Sequence, residues 1–494
     1  MQASFDSSKK WYYAGLLSIM LVVAALYFYS DKKDFCPEPQ SRQDASGLDY
    51  QYARSFVYFY YYAGHFPLST LRTEVAYSKS SANDEIEANG RDLVMEIGHW
   101  SRLGEHARIW AFMPDAWLRG SPKNPSVKTF NALVFCLGLL SLFHGLFRMG
   151  HTRLAFLMPG IVLCLPFFHY EVFSRQNLFG LQGSVFMLVM GQILPWCAAG
   201  KKNRMIGFLL LLILALIIGV AAEMRNENII LLMACCVMIL LGHEQNIKNR
   251  LLYCGLLVLF TVATRHGVQS YFQNKFDQTK ILVAQKKGHV YTGKRIRGHQ
   301  FWHPVFCGLG DFDRKYGYAW KDQVAYQYAI PILRDRYQIS YPYHPDSLHF
   351  QAWYDSARMY YIKFDEIEAY EKVMKEKVFN DIQQDPGWYF NILQKRIFRI
   401  LHDCLPFSNA GFLFFPAIVL VYVRKQRQHL ALLLASCLPC AVSLLIHSGL
   451  GATLNPLYGI VALAMLIHFL LSYLNHKWLL SRPETRSTQK QSSK

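Results

Sequence analysis

The chain has 494 residues, 52% of them hydrophobic, and a formal charge of +18. Its apolar residues come in blocks and its mean hydropathy is positive, at +0.10, which argues against a string of soluble domains and for membrane spans. The excess of 52 Lys and Arg over 34 Asp and Glu would suit nucleic acid, but it is scattered over the links between apolar blocks, so no nucleic-acid partner is expected.

A helix crosses the hydrocarbon core with about twenty apolar residues, and roughly ten runs are read as such spans. They are Trp11 to Tyr29, Thr129 to Phe147, Leu154 to Tyr170, Phe179 to Ala199, Met205 to Ala222, Ile229 to Leu241, Leu251 to Thr264, Phe407 to Val423, Leu430 to Ile446 and Leu457 to Leu474. The run at Ile229 is short and needs Asn226 to Asn228 or Gly242 to complete it. Lys9 and Lys10, Arg148 and Arg153, Lys201 to Arg204, Lys248 and Arg250, Arg424 to Arg427 and the tail from Lys477 fall on alternate links. That is the positive-inside pattern, and it places both termini in the cytoplasm; much of the excess charge then serves as a surface for anionic membrane lipids. The first run has no small-residue cleavage site and is expected to stay as a signal anchor.

The expected organisation is an all-α polytopic membrane protein of about ten transmembrane helices, with a mainly α extracytoplasmic domain before the last spans. Residues 1–30 hold the cytoplasmic start and first span, 31–128 a first periplasmic loop with amphipathic helices, and 129–264 a helical bundle. Residues 265–404 form a periplasmic domain, 405–475 the last spans and 476–494 a disordered cytoplasmic tail. The single Asn-x-Ser/Thr triplet, Asn124-Pro125-Ser126, is disabled by its proline, which favours a bacterial inner membrane. The eleven cysteines show no metal-ligand spacing; Cys36, Cys307 and Cys404 are expected outside the spans, where one pair among them has the opportunity to bridge.

Within the first loop, Asp49 opens a helix-like stretch, and the run Tyr58 to Tyr62 reads as an interfacial belt or, less simply, a sugar-stacking surface. Thr70 to Tyr77 and Ala82 to Trp110 read as amphipathic helices, with Leu93, Ile97, Trp100 and Leu103 at helical spacing. The aromatic run Ile109 to Trp117 suits the headgroup level. In the second loop a helix is expected over Val268 to Lys287, then an irregular centre, FWHPVFCGLGDFDRKYGYAW, then a charged helix from Phe364 to Asp385. Pro386 opens an interfacial helix in which Trp388, Phe390, Ile392, Leu393, Ile397 and Ile400 alternate with Lys395, Arg396 and Arg399.

Two short outward links are chemically dense: HYEVFSRQN, from His169, and EMRNEN, from Glu223. Asp49, Glu171, Arg175, Arg225 and Glu227 all fall at span ends on one side. Guanidinium groups neutralise phosphate bidentately, and a carboxylate within reach of a hydroxyl takes its proton as the phosphate leaves. Simpler roles stand beside these: Asp49 as a helix cap, the arginines as headgroup anchors, Glu171 or Glu227 in a structural ion pair with a neighbouring arginine. His303, with Gly308 to Asp313, lies in a turn-rich stretch that reads either as a loop over the site or as a structural knot. Asp49, Glu171 and His303 offer donors to a divalent metal, but no spacing is diagnostic, so no metal ligands are assigned.

Asp49, Tyr50, Tyr52 and Ala53-Arg54, together with Arg175, the large segment before the last spans and DPGWYFNILQKRI, resemble the GT-C superfamily of integral-membrane glycosyltransferases. The resemblance implies a polyprenyl-phosphate sugar donor and a periplasmic glycan or lipid acceptor, with Asp49 as catalytic base or orienter and Glu171 as the second acid. Arg54, Arg175 and Arg225 would then hold the donor phosphate, and Tyr52, His303 and Glu227 would line the substrate site. No cofactor is required by it, though a divalent metal stays open. Where many members carry their second acid after an arginine such as Arg175, this chain has Gln176, Asn177 and Gln182. The rival reading is an O-antigen polymerase or ligase, which moves the critical groups to Arg295, Arg297 and His303. A transporter or flippase of lipid-linked sugars is the alternative of another class, disfavoured by the lack of internal repeats and mid-span charges.

Overall fold

The computed structural model describes residues 2–30, 56–70, 78–95, 106–123, 125–173, 178, 180–199, 204–290, 301–338, 367–446 and 457–481. Seven of its helices are long and apolar enough to cross a membrane, as befits an all-α polytopic protein. Strand structure among the described residues is confined to one two-stranded pairing and a single bridge.

The first apolar run forms α1 (Gln2–Tyr29). Its Ile19 and Val23 are buried while Leu17, Leu21 and Phe28 stay exposed, as expected of a helix with one face on protein and one on lipid. Residues 56–63 form α2, followed by β1 (Ser69–Thr70), α3 (Lys79–Ala88) and β2 (Leu93–Val94). The helix expected to run from Ala82 through Leu93 therefore stops early. Leu93 pairs instead with Thr70, its carbonyl accepts from the His289 N–H at 2.8 Å, and its side chain is fully buried. Apolar spacing alone did not distinguish a short buried strand from the continuation of a helix. Tyr58 and Phe59 are core residues of this region and not the surface belt that their run suggests, because the far end of a long later helix covers them.

After α4 (Met113–Arg119) comes the tightest contact of the bundle, between α5 (Lys128–Arg148) and a later helix, α8 (Leu181–Ala198). A Cβ at Gly145 would lie 2.1 Å from the Gly191 carbonyl oxygen, so the backbones approach as only glycine permits. Gln192 donates to the Ser141 hydroxyl at 2.8 Å, which donates to the Leu188 carbonyl at 2.7 Å and so satisfies the polar groups of that crossing. Between these helices the expected span Leu154 to Tyr170 is broken into α6 (Thr152–Leu163) and α7 (Pro166–Phe173), bent by 68°. The break falls just before Pro166, which cannot donate into the helix and pushes the preceding residue away from helical backbone.

The chain continues through α9 (Arg204–Met224) and α10 (Ile230–Val237) into α11 (Ile247–Gln285). The Asn226–Gly242 segment is shorter than a full span, in keeping with its short apolar run. The span expected at Leu251 and the separate helix expected at Val268 are one uninterrupted helix, since Arg265 and His266 are compatible with helical backbone and no proline or cap separates the two. Beyond Arg265, Phe272, Phe276 and Val283 pack under Phe66, His106 and Leu93, and Thr279 bonds both the Phe66 N–H and carbonyl, at 3.1 and 3.2 Å.

A satellite body with its own core follows: α12 (Trp302–Leu309), α13 (Asp322–Tyr337), α14 (Ile367–Gln384) and α15 (Pro386–His402). The stretch expected to be irregular around Trp302 is thus partly helical. Its first N–H groups are capped from outside, by the Glu371 carboxylate, at 2.8 Å from Phe301 and Trp302 and 3.1 Å from His303. Arg396 is fully buried, in line with Trp388 and Ile392, although the sequence pattern grouped it with Lys395 and Arg399 as the basic residues of an interfacial helix. Its guanidinium donates to the carbonyls of Gly308 at 2.7 Å and Leu444 at 2.9 Å and faces the buried Asp311 at 3.6 Å. One arginine therefore ties α12 and α15 to the closing helices. These are α16 (Phe414–Val423), α17 (Arg427–Cys437), α18 (Cys440–Leu445) and α19 (Leu457–Ser481). Cys307 and Cys404 are buried free thiols, and Cys36 lies outside the described residues.

Candidate functional site

Three junctions of the bundle bring polar groups together: α7 with α8, α9 with α10, and the middle of α11. Glu171, near the end of α7, is buried at 1% exposure. The backbone at Gly180 lies against it so closely that a Cβ there would sit 3.0 Å from the Glu171 carbonyl carbon and oxygen. Two residues on, the Gln182 amide donates to the Glu227 carbonyl at 3.4 Å. Glu227 in turn grips Arg225 with both oxygens, at 2.8 Å from Nη2 and 3.4 Å from Nε. Asn228 donates to the Ala221 carbonyl at 2.9 Å, which also accepts from the Arg225 N–H at 2.9 Å, so that this carbonyl ties the 225–228 turn to the end of α9.

Glu223 completes this region. It lies in the last turn of α9, where the helix dipole is unfavourable for an acid, and it is fully buried. The compensation comes from α11: Arg265 Nε at 2.7 Å and the Gln269 amide at 3.0 Å both meet one Glu223 oxygen. Acid and guanidinium groups from three junctions thus share one end of the bundle.

Of the residues singled out from the sequence, Arg225 and Glu227 pair directly, and Glu171 connects to them through the Gly180 backbone and the Gln182 side chain at the start of α8. Asp49, Tyr52, Arg54 and Arg175 lie outside the described residues, as do Arg295 and Arg297 of the rival reading. The simpler role offered for Glu227 is realised in its ion pair with Arg225, so a phosphate at that guanidinium would also meet the Glu227 charge. Glu223, Arg265 and Gln269 went unassigned. Their signal was an acid in EMRNEN and a basic residue 42 positions later, a separation that no local pattern connects.

His303 belongs to the satellite instead, packed among residues of the separate core there. Its Nδ1 meets the Tyr370 hydroxyl at 2.5 Å and its Nε2 meets Asp322 Oδ1 at 3.2 Å, while Tyr326 stacks on the ring at 5.3 Å. The hydrogen bond to His303 holds the Asp322 carboxyl below its ordinary range, and burial pushes the Cys307 thiol up to about 12. The metal trio weighed from the sequence divides accordingly, with Glu171 in the bundle, His303 in the satellite and Asp49 outside the described residues. No family model, curated protein or solved structure matches the chain.

Proposed function

We propose that the protein is a membrane glycosyltransferase that moves a sugar from a polyprenyl-phosphate donor to a periplasmic glycan or lipid acceptor, in a bacterial inner membrane with both termini cytoplasmic. The observation that carries this reading is the gathering of Glu171, Glu223, Arg225, Glu227 and Arg265 at one end of a bundle of apolar helices. A lipid-linked donor needs such a place: its tail among apolar helices, its phosphate beside guanidinium groups, and a carboxylate within reach of the acceptor hydroxyl. In the reaction the acceptor oxygen bonds to the sugar carbon as the bond to phosphate breaks. Asp49, or Glu171 as the second acid, takes the hydroxyl proton. Arg54 and Arg175, with Arg225, neutralise the departing phosphate, and Tyr52 and Glu227 position the sugar. His303, in the satellite, belongs to the acceptor side, and a divalent metal beside the carboxylates would add to phosphate neutralisation.

The test is transfer by the purified full-length chain in lipid nanodiscs, supplied with a polyprenyl-phosphate sugar and acceptor glycan and no ion gradient. Asp49→Asn and Glu171→Gln should each lower transfer about 100-fold or more, the low end of what a proton-accepting side chain contributes. Loss on Arg297→Ala with Asp49→Asn active would instead indicate the polymerase reading. Gradient-dependent movement of lipid without any new glycosidic bond would overturn both in favour of a transporter.

A further inference from the structure

Three side chains of the satellite point their donor atoms at one spot: His303, Cys307 and Asp322, with all three atoms within 4.8 Å of one another. The arrangement is built from local rules. His303 and Cys307 are four apart in α12 and so share a face, and Asp322 is the first residue of α13. The His303 Nε2 to Asp322 Oδ1 distance is 3.2 Å and the Cys307 Sγ to His303 Nε2 distance 3.9 Å. Tetrahedral bonds of about 2.0 Å to nitrogen or oxygen and about 2.3 Å to sulfur give edges of roughly 3.3 and 3.6 Å; the two edges at His303 are close to these, and the Asp322 to Cys307 edge, within 4.8 Å, closes by rotation of the exposed Asp322 side chain.

We propose that His303 Nε2, Cys307 Sγ and an Asp322 oxygen form a three-ligand site for zinc or a similar borderline divalent transition ion, its fourth position open to solvent on the Asp322 side. Imidazole, thiolate and carboxylate are the donor types such ions take, whereas magnesium and calcium take oxygen alone. The surroundings fit in two further respects. The Tyr370 hydroxyl lies 2.5 Å from Nδ1 and would accept the ring proton there once an ion takes the place of the Nε2 proton facing Asp322, and Tyr326 holds the ring plane by stacking. His303 and Cys307 are buried, but the Asp322 side chain is 71% exposed, which provides an entry path. On binding, the sulfur–hydrogen bond breaks as the metal–sulfur bond forms, and the proton leaves to solvent.

The experiment uses the purified full-length chain, stripped with chelator and titrated with cobalt(II) alone, then with zinc(II). A single equivalent of cobalt should bind with thiolate-to-cobalt charge-transfer absorption and the intense visible bands of a tetrahedral ion, and zinc should displace it. Cys307→Ser should abolish the charge-transfer band. Asp322→Asn, at an exposed position that leaves folding intact, should weaken cobalt binding at least about 10- to 100-fold, and Tyr370→Phe by up to that range. A metal-free melting temperature matching the unaltered chain establishes that each variant is folded. Absence of the charge-transfer band in the unaltered chain, or its survival in Cys307→Ser, would overturn the site, as would unchanged cobalt affinity in a folded Asp322→Asn. These readouts involve no sugar transfer and stand apart from it.

Discussion

The bundle junction and the satellite both bury polar groups, but they solve that problem with different chemistry. At the junction, full charges from distant parts of the chain neutralise each other, as Glu223 does with Arg265 across 42 positions. In the satellite, the buried His303, Tyr370 and Cys307 form an uncharged cluster edged by the exposed Asp322, and the one fully buried cation among the described residues there, Arg396, is spread over two carbonyls and a carboxylate. The difference teaches where each region is vulnerable. An ion pair fails when one partner goes, because the other is left as an unpaired buried charge. A neutral cluster loses one hydrogen bond at a time.

That contrast can be broken most severely at Arg396. Arg396→Met removes a fully buried guanidinium that faces Asp311 and satisfies two carbonyls, and should destabilise the satellite by about 3–5 kcal/mol. Limited proteolysis should then cut within α12 to α15 while the bundle helices stay intact. A smaller effect is expected at the junction, where Arg265 is 30% exposed and water can partly replace it. Arg265→Gln should cost about 2–3 kcal/mol in urea unfolding, and Glu223→Gln in the same chain should restore much of it by removing the stranded charge. A double-variant loss equal to the sum of the two single losses would show that the pair does not act as a unit.

The smallest effect tests a neutral-to-charged boundary at the edge of the satellite. The Asp385 carboxylate caps α15 by accepting from the Trp388 N–H at 2.9 Å and from Lys315 at 2.5 Å, and the Lys315 hydrogen bond holds it below the ordinary carboxylate range. A depressed folded value means that the stabilisation is present above the unfolded value, near about 4, and is lost as pH falls through the folded one. Protection of the amides in the first turn of α15, taken relative to their intrinsic exchange rates at each pH, should therefore fall on acidification below that range, and in Asp385→Ala it should be low and insensitive to pH.

How much of this was legible in the residues follows from the range of each signal. Asp385 and Pro386 mark the start of α15 because a cap and a fixed φ act within one turn, and both can be read in place. Seven of the ten apolar runs coincide with helices of spanning length, since burial in lipid demands length and composition alone, while those expected at Leu154, Ile229 and Phe407 are bent or short. What failed was any feature settled by a distant partner. Leu93 became a strand because Thr70 and His289 supply its hydrogen bonds, and Tyr58 became core because α11 lies over it. Arg396 reads from the sequence like its interfacial neighbours Lys395 and Arg399, and only Gly308, Leu444 and Asp311, far away in the chain, make it a buried tie. The candidate site was half legible for the same reason. Glu171, Arg225 and Glu227 advertise themselves as charges at span ends, whereas the Glu223–Arg265–Gln269 contact exists only once α9 and α11 lie side by side.

The 39 residues of α11 run without a proline for about 58 Å, from the apolar bundle to the turn at Gly288. Such a rod behaves as a lever. A change in its tilt of about 10° would swing its tip by roughly 10 Å, carrying the Phe66 and Leu93 packing with it. A thinner or thicker bilayer changes the tilt of a spanning helix, so lipid composition becomes a mechanical input to whatever Tyr58, Thr279 and His289 hold in place.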